Sequence, residues 1–145
     1  MEVLNLDIDY IEEYIENLDL NITELESLGA SLNAIGYLII YYGSQKENYD
    51  ILIDYDTDVT PSELLLLGQY IIVVGYLILC FVGRKRFEAN LLRVEFLDMQ
   101  RNLSAYKLLE RSYIISSFAN FLRLEAFYEI FLEIRSLKDD NKGMF

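Results

Sequence analysis

Residues 28–40 read LGASLNAIGYLII and residues 67–79 read LGQYIIVVGYLIL. Sliding the chain against itself by 39 positions lays Leu28 on Leu67, Gly29 on Gly68, Gly36 on Gly75, Tyr37 on Tyr76 and Leu38 on Leu77, with Lys46 on Lys85 further along. In each stretch the two glycines stand seven residues apart, two turns along nearly the same face of a helix. Glycine in a helix interior costs about 1 kcal/mol relative to alanine. Four at matched positions therefore predict a compensating contact, in which missing side-chain bulk lets a neighbouring backbone approach. A third copy lies further on, where Ser112, Ile115, Phe118, Ala119, Phe121 and Leu122 take the places of Gly29, Leu32, Ile35, Gly36, Leu38 and Ile39. The expected helix-packing residues are thus Gly29, Gly36, Gly68, Gly75, Ser112 and Ala119. The glycines fall in mid-helix without a GK[ST] element, so a phosphate loop is excluded.

Working outward, Leu4, Ile8, Ile11, Ile15 and Leu18 alternate in steps of four and three, the mark of a short amphipathic helix over 7–19. Asn21 and Thr23 interrupt it, and Thr23 with Glu26 forms a capping box for a helix over 24–48. The sequence Thr60-Pro61-Ser62-Glu63 places an N-cap, a proline at N1 and a glutamate at N3, starting a helix over 61–98. Asn102 and Ser104 make the next connection, the last helix covers 104–137, and the tail from Lys138 frays. With one proline and seven glycines in 145 residues, the chain lacks the punctuation of strand-rich folds. The expected fold is all-α: one domain over 1–145, a bundle of three long helices plus the short N-terminal helix, with an internal helix repeat.

The last helix reads S-x-x-x-S-x-x-A-N-x-L-R-L from Ser112 to Leu124, with Ser116, Ala119, Asn120, Leu122 and Arg123 in place. Together with the preceding glycine-bearing pair, over residues 25 to 128, it resembles small helical proteins of low-GC Gram-positive bacteria. The resemblance implies a helical fold and carries no function across.

Leu64 to Val82 is 19 residues with Gln69 as the one strongly polar side chain, and Gly83-Arg84-Lys85-Arg86 follows. That length spans a hydrocarbon core of roughly 30 Å, and the basic flank suits a cytoplasmic face. Leu28 to Tyr42 is shorter and carries Ser31 and Asn33, but its Tyr37, Tyr41 and Tyr42 suit a membrane interface, so the repeat reads as a helical hairpin with both ends cytoplasmic. Against insertion of the last helix stand Arg123, Glu125, Glu129 and Glu133, which are costly in lipid. A soluble bundle that buries Leu64–Val82 among the other helices is the competing reading, with a cytoplasmic location.

The net charge of −12 argues against nucleic-acid roles that depend on neutralising phosphates, so direct nucleic-acid binding is not expected. With no histidine and one cysteine, Cys80, inside the apolar run, the chain lacks zinc ligands, a di-iron set and a Cys–His nucleophile. Met1 to Asp9 has no basic n-region of a signal peptide. Asp54, Asp56 and Asp58 copy the first ligands of a calcium loop, but Val59 stands where glycine is required and Leu65 where a bidentate glutamate is. The reading is a non-enzymatic protein without metal or cofactor, acting through a protein partner or self-association. Two forms stay open: a membrane-associated helical protein, and a soluble acidic adaptor or inhibitor whose Asp- and Glu-rich N-terminal segment meets a basic partner.

Overall fold

Among the described residues the chain forms three long helices: α1 (Glu2–Leu52), α2 (Thr60–Phe96) and α3 (Leu103–Lys142). The structure, a computed structural model, describes residues 2–53 and 59–142, and the side chains of residues 8–53 and 59–139. The acidic segment with Asp54, Asp56 and Asp58 lies outside the described residues.

Each helix owes its length to a seven-residue burial period. On α1 the buried positions are Ile15, Ile22, Gly29, Gly36, Gly43 and Asp50, each seven after the last. The half-buried Ile11, Leu18, Leu25, Leu32, Ile39 and Lys46 fall between them at the complementary spacing. This is the a/d pattern of coiled-coil packing. It runs unbroken through Asn21 and Thr23, and here the structure departs from the expected division into helices over 7–19 and 24–48: α1 is continuous. Both residues are exposed, and the Thr23 hydroxyl donates to the Asp19 carbonyl at 2.9 Å, a bond within the helix rather than a cap. Poor helix formers on the outer face do not outweigh the packing of Ile22 and Leu25 beneath them.

The start of α2 falls one residue before the expected 61. The Glu63 amide donates to the Val59 carbonyl at 3.1 Å, as does the Ser62 hydroxyl at 2.7 Å, so Val59 closes the first turn. Pro61 then sits where no amide hydrogen is needed. At the other end, the amides of Leu97 and Met99 both donate to the Arg93 carbonyl, and Asp98 takes φ 50°. That left-handed conformation, which aspartate tolerates better than most residues, ends the helix at Phe96 instead of 98. The Asn102 side chain accepts from the Ala105 amide at 3.1 Å and caps α3, which continues past 137 to Lys142.

Packing divides the chain into two compact units, Met1–Ala30 with Tyr76–Ser117, and Ser31–Gly75 with Phe118–Phe145. In the first, Ile22, Val82 and Ala89 form the buried centre, with Leu18, Leu25 and Ile78 against it. Ion pairs Arg86–Glu26 and Arg93–Asp19 join α2 to α1 there. Gly83 faces α3, where an added Cβ would lie 2.8 Å from Tyr113 Cδ2, and the Ser117 hydroxyl reaches the Tyr76 carbonyl at 3.1 Å. In the second unit, Ile72 and Val73 are buried beside the glycine contact described below, and Lys46 pairs with the buried Asp50 at 3.0 Å.

Candidate helix-docking and membrane surfaces

Within the unit of residues 31–75 and 118–145, α1 and α2 meet backbone to backbone. A Cβ built on Gly36 would stand 2.7 Å from the Gly68 carbonyl oxygen and 2.6 Å from Ile72 Cγ1; one on Gly68 would stand 2.7 Å from the Gly36 carbonyl oxygen. The contact thus joins the second glycine of the 29/36 pair to the first glycine of the 68/75 pair. Gly29 and Gly75 are also buried. Ser112 and Ala119 are not brought to a helix contact: both are exposed, and on α3 the buried positions belong to Ser117 and Asn120. The offset arises because α3 buries the heptad Leu103, Glu110, Ser117, Leu124 with Tyr106, Tyr113, Asn120, Phe127, and the small-residue pair lies off that stripe.

Two further glycines do similar work. At Gly43 an added Cβ would lie 3.0 Å from Leu64 Cβ and 3.2 Å from the Pro61 carbonyl oxygen. Gly43 was legible, seven residues beyond Gly36 in the series 29, 36, 43. Gly83 was also legible as a member of the series Ser62, Gln69, Tyr76, Gly83, Asn90.

The polar side chain that interrupts the long apolar run is fully buried. Gln69 Nε2 donates to the Asn120 carbonyl at 3.0 Å and to Asn120 Oδ1 at 3.1 Å, and Arg123 Nη1 donates to the same Oδ1 at 3.1 Å. This network ties α2 to α3 where apolar side chains alone would leave their register free.

Beside it runs a groove of about 780 Å³. Its α2 wall is Leu66, Leu67 and Tyr70; its α3 wall is Phe118, Phe121, Leu122, Leu124 and Tyr128. Glu63 and Glu125 bring negative charge to the lining and no basic side chain does. Apolar side chains also form exposed stripes along single helix faces. On α2 they are Leu67, Tyr70, Leu77 and Phe81; on α1, Leu28, Ile35, Leu38, Tyr42 and Tyr49. Large contiguous apolar patches are uncommon on soluble monomers. α2 is long and apolar enough to cross a membrane, and 39% of its most apolar 18-residue window is buried in the protein.

Just past that window the surface turns polar. Lys85 and Arg84 pair with Glu88 at 2.7 and 3.2 Å, and the Lys85 hydrogen bond, chiefly, holds the Glu88 carboxyl below its usual value, with Arg84 adding to it and partial burial opposing. Cys80 is a half-buried free thiol. Among the described residues, no group of three His, Cys, Asp or Glu side chains could hold a metal ion. No family model, curated protein sequence or solved structure matches the chain.

Proposed function

We propose that this is a non-enzymatic, membrane-associated helical protein, with α2 inserted, which acts by binding another helix, a partner's or that of a second copy. The observation that carries the reading is the 39% burial of the apolar window of α2. Two neighbouring helices cannot enclose a third, and the core helix of a water-soluble bundle is mostly buried. Here Leu67, Tyr70, Leu77 and Phe81 remain outside. The charge-free stretch from Ser27 to Gln45 on α1 supports the reading, since it brings its own apolar stripe to the hairpin through the Gly36–Gly68 contact. Close helix approach at small residues is the usual basis of association in lipid, where burial of apolar surface supplies no drive. The 39-residue repeat belongs to the same proposal, as the origin of the two matched glycine faces, and the basic residues Arg84 to Arg86 support a cytoplasmic end for α2.

Fractionation tests it. The full chain should sediment with membranes, resist extraction at alkaline pH and dissolve only with detergent; recovery in the soluble fraction without detergent rejects insertion. A second reading, a soluble acidic adaptor for a basic partner, draws support from Glu63 and Glu125 on a groove without cations. It requires a partner captured at low salt and released at high salt.

A further inference from the structure

In the unit of residues 1–30 and 76–117, a polar cavity of about 290 Å³ opens among α1, α2 and the start of α3. Its charge is the reverse of the chain's: Arg86, Arg93 and Arg101 line it against a single carboxylate, Asp19, in a protein of net charge −12. Carboxylates of α1 hold two of these arginines, Glu26 on one Nη of Arg86 and Asp19 on one Nη of Arg93. A guanidinium presents five N–H donors in a planar fork, so one such contact orients the group and leaves donors over. Arg86 Nε is buried and has no hydrogen-bond partner. Arg101 is exposed and contacts the Met99 sulfur at 4.0 Å, with no carboxylate partner among the described residues. The three arginines with Asp19 and Glu26 sum to one net positive charge. The cavity also meets the start of α3, since Arg101 and Tyr106 flank its first residue, Leu103, where the helix dipole favours an anion.

Guanidinium forks from two parts of the chain, Arg86 and Arg93 on α2 and Arg101 ahead of α3, suit a tetrahedral anion better than a planar carboxylate, which one fork satisfies. The volume is ample for a phosphate, and the lining is polar, which disfavours an apolar chain. Arg86 comes four residues after Val82, where the apolar run of α2 ends, so it stands about 6 Å further along the helix, at headgroup depth if α2 is inserted. We infer that this cavity binds a phosphate group, carried by a lipid headgroup or by a free phosphate, with Arg86, Arg93 and Arg101 as its donors. The lipid source rests on the membrane reading; phosphate binding itself does not.

The full chain in neutral detergent is melted with inorganic phosphate and with chloride at equal ionic strength, then floated with phosphatidylcholine vesicles with and without phosphatidic acid. Phosphate should raise the melting temperature where chloride does not. Arg101→Gln should melt normally alone and lose about tenfold in phosphate affinity, the loss of a charge-assisted contact. Added phosphatidic acid should increase vesicle recovery of the native chain and not of Arg101→Gln if the source is a lipid. A phosphate-specific shift without recovery on any vesicle assigns the site to free phosphate and counts against membrane insertion. Equal shifts with chloride and phosphate, together with equal recovery on both vesicles, overturn the inference, and recovery on phosphatidylcholine alone then still leaves the membrane reading standing. Should Arg101→Gln melt early, Asp19→Asn decides. Freeing the Arg93 fork should tighten phosphate binding, whereas unchanged or weaker binding overturns the site.

Discussion

At the scale of single residues, the glycine contact makes the sharpest statement about packing. Beside the side chains of Ile72 and Ile40, each of Gly36 and Gly68 faces the other's backbone carbonyl oxygen, which cannot swing aside as a side chain can. Gly36→Ala and Gly68→Ala must each push the helices apart, at about 1 to 3 kcal/mol, although alanine is the better helix former by about 1 kcal/mol. Ser112→Leu and Ala119→Leu enlarge exposed positions and should change stability by less than about 0.5 kcal/mol. Denaturant titration in detergent of the four variants separates the two classes, and equal effects would remove the distinction drawn between contact and surface. Glu88 permits a test of charge at the same scale. Its carboxyl titrates below the unfolded value of 4.5 because Lys85 and Arg84 bond the ionised form. Its stabilisation is therefore present above that value and lost as pH falls through the lower folded one. The side chain is 38% exposed, which limits the contribution to a few tenths of a kcal/mol, about that of an i,i+4 surface pair. Glu88→Gln should melt slightly below the native chain at pH 7, and the gap should narrow as pH falls below 4.5.

At the scale of the element, the continuity of α1 is the feature to test. Thr23 lies in mid-helix, and proline there removes the amide that bonds to Asp19 and clashes with the preceding turn. Thr23→Pro should cost about 3 kcal/mol or more and lower helix content by circular dichroism. Had residues 20–23 been a loop, the substitution would be nearly neutral, so a small effect would restore the break.

At the scale of the whole molecule, charge and apolar exposure oppose each other. Repulsion among the excess of acidic groups opposes the association that exposed Leu28, Ile35, Leu38, Leu77 and Phe81 favour. That repulsion vanishes near the isoelectric point of about 4.3. When the detergent-solubilised chain is diluted below the micelle concentration, light scattering should rise more steeply the closer the pH is to that point, and stay flat when detergent covers the stripes. Scattering that ignores detergent would mean that the stripes do not drive association.

Local sequence was enough for the helical class, the start of α2 to within one residue, the end of α2 to within two, and the close approach at Gly36 and Gly68. These follow from local chemistry: caps, proline, periodicity and the cost of glycine in a helix. It misread Asn21–Thr23 as a break because a capping signal is also local, while the burial of Ile15, Ile22 and Gly29 that keeps α1 continuous is set by another helix. Ser112 and Ala119 matched the repeat, yet small residues seven apart lie on one face without saying whether that face is turned inward. Neither could spacing pair Gly36 with Gly68 rather than with its repeat equivalent, Gly75, or gather Arg86, Arg93 and Arg101 around one cavity. Those were decided by the tertiary structure alone, because the antiparallel register of neighbouring helices depends on contacts between residues far apart in the chain.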